Sequence, residues 1–162
     1  MATISGTTGN DTISQPTNNN SDFYDLLAGN DSVRAGGGDD TIDGGAGNDT
    51  LRGDGGNDSI IGGLGRDSLR GDAGNDILFG GDDIDTLLGG TEDDTLVGGA
   101  GDDVIDGEAG NDVVSYVGTA GAVTVNLAAG TATGAAGNDA ISNVENVIGG
   151  DRSEERRVGK EC

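Results

Sequence analysis

The sequence predicts an all-β solenoid, and three observations carry that prediction. A nine-residue period runs without insertion from residue 26 to residue 115. Within it, Asp recurs at the sixth position and an aliphatic residue at the eighth. Composition then argues against a layered core of large side chains: Gly is 34 of 162 residues, aromatics are 2%, and Trp and His are absent. Low hydrophobicity with a formal charge of −22 would by itself suggest disorder. Strict self-similarity outweighs that, because a repeat sets the fold before any local propensity does.

The N-terminal part, 1–25, contains an isolated copy of the repeat, GTTGNDTIS at 6–14. Residues 15–25 (QPTNNNSDFYD) read as a polar loop, with Phe23 and Tyr24 covering the first coil of the array and Asp22 inert. A solenoid end needs such a cover, since an exposed apolar column invites aggregation.

The array itself, 26–115, holds ten copies. They begin LLAGNDSVR and AGGGDDTID, continue GGAGNDTLR, GDGGNDSII, GGLGRDSLR and GDAGNDILF, and end GGDDIDTLL, GGTEDDTLV, GGAGDDVID and GEAGNDVVS. The sixth position is Asp in every copy: Asp31, Asp40, Asp49, Asp58, Asp67, Asp76, Asp85, Asp94, Asp103 and Asp112. The eighth is Val33, Ile42, Leu51, Ile60, Leu69, Leu78, Leu87, Leu96, Ile105 and Val114. Residues seven to nine are expected to form a short strand, which turns the eighth side chain inward and its neighbours outward. One aliphatic per nine residues makes a core only if coils stack, so that the aliphatics form two continuous columns. Gly at the first and fourth positions suits tight loops and close backbone approach.

This pattern resembles the RTX family, whose repeat is G-G-x-G-x-D-x-U-x with U apolar. The resemblance implies a right-handed parallel β-roll with two nonapeptides per turn. It also implies Ca²⁺ between loops stacked on one edge, held by the sixth-position Asp and loop carbonyls. The chemistry agrees: Ca²⁺ takes six to eight hard oxygen ligands, including carboxylates and carbonyls. Zinc and softer metals lack their usual ligands, with no His in the chain and one Cys, Cys162. Alternation puts Asp31, Asp49, Asp67, Asp85 and Asp103 on one edge and Asp40, Asp58, Asp76, Asp94 and Asp112 on the other. Five loops per edge leave four gaps, for up to about eight ions. Asp83 and Glu92 replace the fourth-position Gly and Ile84 the fifth-position Asn or Asp, so gaps touching Asp85 and Asp94 are expected to be weak. Leu26-Leu27 replace the paired Gly of the first copy, so the Asp31 loop is expected to act as a cap.

Residues 116–151 read as a capping segment and spacer. Ala122–Leu127 (AVTVNL) alternates as a strand, with Val113–Val117 as its expected partner. A further copy, GAAGNDAIS, occupies 134–142, and NVENVIGG (143–150) reads as a spacer leading to another repeat block. Residues 152–162 (RSEERRVGKEC) break the composition and resemble a translated sequencing adapter, so the chain reads as a truncated natural fragment followed by an artefact. Without that segment 27 acidic and 4 basic residues remain, a charge of −23.

Catalysis is not expected. No His is present for a triad or general base, no GKS or GKT follows the Gly-rich loops, and no EF-hand loop occurs. So acidic a chain repels nucleic acid, and no stretch has the ~18 apolar residues of a membrane span. Met1-Ala2-Thr3-Ile4 lacks the basic and apolar regions of a cleaved signal peptide. The resemblance implies an extracellular or cell-surface bacterial product exported by type I secretion machinery, monomeric or part of a larger chain. The expected function is a Ca²⁺-induced folding module of a toxin, protease, lipase or adhesin. The alternative is a structural or adhesive surface repeat protein.

Overall fold

The computed structural model describes residues 1–15 and 19–149; Pro16 and the 152–162 segment lie outside them. Among the described residues there is no helix, and the chain winds as a parallel β-solenoid. Its strands are β1 (Thr3–Ser5), β2 (Thr12–Ser14), β3 (Phe23–Asp25), β4 (Ser32–Gly37), β5 (Thr41–Ala46) and β6 (Thr50–Gly55). There follow β7 (Ser59–Leu64), β8 (Ser68–Ala73), β9 (Ile77–Asp82), β10 (Thr86–Thr91), β11 (Thr95–Ala100) and β12 (Val104–Ala109). The last are β13 (Val113–Ser115), β14 (Val123–Asn126), β15 (Thr131–Gly134), β16 (Gly137–Ser142) and β17 (Asn146–Ile148).

From β1 to β14 successive strands alternate between two sheets, and β15 and β16 stay in the second before β17 returns to the first. One runs β1-β3-β5-β7-β9-β11-β13-β17, the other β14-β15-β16-β12-β10-β8-β6-β4-β2. Within a sheet Leu51 faces Leu69 and Leu69 faces Leu87, so a coil takes 18 residues, two nonapeptides. The eighth-position side chains stack into the two columns that the sequence predicts. One contains Tyr24, Ile42, Ile60, Leu78, Leu96 and Val114; the other contains Val33, Leu51, Leu69, Leu87 and Ile105, and all are 0–3% exposed.

In the array the strands are longer than the three residues expected from the sequence. They run from the seventh position to the third position of the next copy, six residues from β4 to β12. Glycine-rich sequence is a poor strand former by propensity, but coil stacking supplies a ladder partner on both sides. The first-position residue then faces inward, two residues after the eighth, and is buried in the interior copies.

Three flanking expectations change. Tyr24 belongs to the core column, because β3 is in register with β5, which makes Asp22 the sixth and Tyr24 the eighth residue of a degenerate copy. β14 pairs antiparallel with β15 and not with the 113–117 stretch; β13 lies in the opposite sheet. Part of the NVENVIGG segment is itself a strand, β17, parallel to β13. The 134–142 copy rejoins the stack as β16, with Ile141 beside Ile105.

The columns leave little room for error, since each coil offers one large apolar side chain per sheet. Leu69→Ala is expected to destabilise the calcium-loaded roll by about 2–5 kcal/mol. Leu64→Ala, at an exposed site, should change stability by less than about 0.5 kcal/mol. Denaturant unfolding of the two variants at saturating Ca²⁺ measures both.

Candidate metal centre

The loops between strands carry the sixth-position Asp, and each carboxylate is used in one repeating way. Its Oδ1 accepts the backbone N–H of the Asp one coil earlier. On one edge the N–H groups of Asp31, Asp49, Asp67 and Asp85 donate to Asp49, Asp67, Asp85 and Asp103 at 2.7–2.9 Å. On the other edge those of Asp40, Asp58, Asp76 and Asp94 donate to Asp58, Asp76, Asp94 and Asp112 over the same range. All ten residues are 0–4% exposed.

The second oxygen is different. Oδ2 of every one of the ten predicted residues, Asp31 through Asp112, is buried and has no hydrogen-bond partner. Only one other buried side-chain oxygen among the described residues shares that condition, Asp54 Oδ1, and it lies 2.9 Å from Arg52 Nε in an ion pair. A buried carboxylate oxygen without a donor or counter-charge is strongly unfavourable. Ten such oxygens in two straight rows amount to two rows of positions that a cation would stabilise.

The first-position glycines form the other wall. A Cβ at Gly44, Gly62, Gly71, Gly80 or Gly89 would meet the Oδ2 of its own repeat's Asp and the carbonyl oxygen of the first-position Gly one coil on, both closer than 3.0 Å. Carboxylate and carbonyl oxygens therefore converge where a side chain would otherwise stand, which is a donor set suited to a hard cation. Among the described residues no three acidic, His or Cys side chains converge on one point. That is consistent with stacked loops: each gap brings two carboxylates together, and the remaining ligands have to be backbone carbonyls.

Burial displaces the ionisation of these groups. Asp58, Asp76 and Asp85 are pushed up to about 7 and Asp67, Asp94 and Asp103 to about 6, by desolvation first and by neighbouring carboxylates second, while the N–H bond to Oδ1 opposes the change. Asp40, Asp49 and Asp112 are raised for the same leading reason.

The loops expected to be weak keep the common geometry. Asp83 and Glu92 keep a positive φ, 75° and 76°, against 106–153° at the fourth-position glycines from Gly29 to Gly101. Glu92 also draws the Gly74 N–H to its Oε2 at 3.0 Å, and the Gly74 bond to the Thr91 carbonyl lengthens to 3.4 Å, against 2.8 Å at Gly56 and Ala73. Asp31 has the same buried, unpartnered Oδ2 as the interior residues, although Leu26 fills its first position.

Two positions of the carboxylate ladder were missed. Asp22 is 3% exposed, it accepts the Ala2 N–H, and its own N–H donates to Asp40 Oδ1 at 2.7 Å, so the hydrogen-bonded row begins one coil earlier than expected. Glu145 plays the Asp part at the far end of that row, accepting the Asp112 N–H at 2.9 Å. The usable signal was register, because Asp22 stands nine residues before Asp31. A second ladder also went unread. Fifth-position side chains accept the N–H of the next coil, as in Asn48 to Asn30, Asn57 to Asp39 and Asn75 to Asn57. The recurring fifth-position Asn or Asp thus has a structural use apart from any metal.

Comparison with known families agrees with this geometry. The family described as RTX calcium-binding nonapeptide repeat (4 copies) matches residues 3–14, 17–51, 52–87 and 79–114, most of the chain. The 17–51 match includes the degenerate copy around Asp22. No individual curated protein gives a significant match.

The raised carboxyls have a consequence for the metal-free chain. Unfolded, these Asp release their protons near the ordinary 3.8; folded, several hold them to about 6–7. The folded form therefore binds more protons, and its advantage is complete below pH about 4 and is lost as pH rises through about 7. In EDTA, far-UV circular dichroism should show β structure in acid that disappears over that window. A signal that does not vary with pH would contradict the burial of these groups in the metal-free chain.

Proposed function

The chain belongs to the RTX calcium-binding nonapeptide-repeat family, and on that premise we propose that it is the calcium-triggered folding module of a secreted bacterial protein. The observation that carries this reading is the two rows of buried Asp Oδ2 atoms without a donor. Ten carboxylates on coils about 4.8 Å apart repel one another and lack water. With no counter-charge, a chain of net charge −22 favours the expanded state.

Bound between stacked loops, Ca²⁺ supplies the positive charge that these oxygens lack. The residues that hold it are Asp31, Asp49, Asp67, Asp85 and Asp103 on one edge and Asp40, Asp58, Asp76, Asp94 and Asp112 on the other, with the glycine carbonyls facing them. About eight gaps lie between these Asp. Loop closure, coil stacking and metal binding then form a single event, because no loop has a complete ligand set until its neighbour is in place. Such a chain stays unfolded where Ca²⁺ is scarce, which suits passage through a type I exporter, and folds outside the cell. The module performs no catalysis, and an effector activity belongs to other parts of a longer protein.

The test is a far-UV circular dichroism titration from EDTA into millimolar Ca²⁺, with Mg²⁺ as control. A cooperative coil-to-β transition with Ca²⁺ alone is expected; equal response to Mg²⁺ would mean general charge screening. Mutation separates ligand from surface acid. Asp58→Ala removes a carboxylate from the gaps toward both Asp40 and Asp76 and should weaken calcium binding on the order of tenfold or more. Asp43→Ala, on an outward strand position, should leave the calcium titration unchanged. Coincident titration curves for the two variants would refute the ligand assignment.

A further inference from the structure

We propose that Tyr116 closes the calcium row on the Asp31 edge, so that Asp139, the last carboxylate of that edge among the described residues, is satisfied by a proton donor and takes no ion. The inference rests on the calcium reading above and adds where the row stops.

Asp139 is the sixth residue of the copy that rejoins the stack as β16, and it is 3% exposed. Its Oδ1 accepts the Asp103 N–H at 3.2 Å, as the ladder requires. Its Oδ2 departs from the pattern, because it accepts the hydroxyl of Tyr116 at 2.8 Å, and Tyr116 is itself 2% exposed. The five carboxylates before it on this edge, Asp31 to Asp103, have no such donor. At the opposite end of the row, Oδ2 of the half-buried Asp11 accepts both the backbone N–H of Thr7 at 2.6 Å and its hydroxyl at 3.1 Å. The row is thus five donorless oxygens between two that already have hydroxyl donors.

Electrostatics makes the two kinds of partner exclusive. A phenolic proton directed at Oδ2 would point its positive end at a cation bound to the same oxygen. The fold goes to some length to place that phenol. Tyr116 follows β13 directly, is tied by its N–H to the Ile148 carbonyl at 2.9 Å, and is followed by the β14–β15 hairpin, which buries Val123, Val125 and Ala132. The terminal coil on this edge can therefore close onto the roll without an ion of its own.

Calcium stoichiometry of the full chain by isothermal titration tests this. Asp139→Asn should bind as many ions as the unmodified chain, and loss of one ion would overturn the proposal. Tyr116→Phe bares Asp139 Oδ2 in the gap facing Asp103 and should take up one additional ion; an unchanged count in a folded Tyr116→Phe protein would overturn it. Should that variant not fold, the Asp139→Asn count decides alone. A spectroscopic arm reads the bond itself. In a Tyr24→Phe background Tyr116 is the remaining tyrosine, and its emission, quenched by the carboxylate, should brighten in Asp139→Asn. Unchanged emission would overturn the proposal. Failure of the calcium reading is separable, since the unmodified chain would then bind no calcium at all.

Discussion

A buried carboxylate oxygen needs a partner, and the rest of this structure depends on how that need is met. In an ordinary domain the interior is apolar and the charges face water. Here the interior holds one aliphatic column per sheet and, at the loop edges, a row of Asp. Half of each carboxylate is satisfied inside the protein by an N–H one coil away. The other half is not, and that remainder makes the fold conditional on something from solution.

The same constraint explains the glycines. From Gly44 onward the first position is inward-facing yet empty, because Asp Oδ2 occupies the space of its side chain. The fourth must allow a neighbouring carbonyl to approach closely; a Cβ at Gly56 would collide with the Gly38 carbonyl. Glycine is therefore dictated by oxygen packing at both positions. Where Asp83 and Glu92 replace it, φ stays positive but falls to 75° and 76°, and one hydrogen bond lengthens at Gly74.

Much of this was legible in the sequence because the period is strict where packing is strict. Asp at the sixth position and an aliphatic at the eighth identified the stacked columns, the all-β solenoid and the rows of carboxylates, and the family resemblance implied the parallel roll. Reading failed where a residue keeps its role while losing its company. Asp22 and Tyr24 are the sixth and eighth residues of a copy with Asn20 in place of the fourth-position Gly, and Gln15-Pro16 shift the isolated copy before it out of register. Glu145 is a longer acid on a shortened loop, reaching its N–H partner with one more methylene. The partner of the 122–127 strand could not be read from alternation, which specifies a face and not a neighbour. The Tyr116–Asp139 bond joins residues 23 apart across a hairpin and has no periodic trace.

The 18-residue coil also imposes a parity rule on how such a gene can grow. Duplicating or deleting two nonapeptides adds or removes a whole coil, and every downstream side chain keeps its sheet and its edge. A change of one nonapeptide exchanges the two sheets for everything that follows. Arg34, Arg52 and Arg70, whose ion pairs with Asp54 and Asp72 climb one outer face, would then be split from partners lying beyond the breakpoint. The hydrophobic outer stripe of Ile61, Phe79 and Val97 on the opposite sheet would be interrupted in the same way. Recombination in even steps is thus nearly silent and in odd steps disruptive, so arrays of this kind can lengthen or shorten between relatives by whole coils while each face keeps its character.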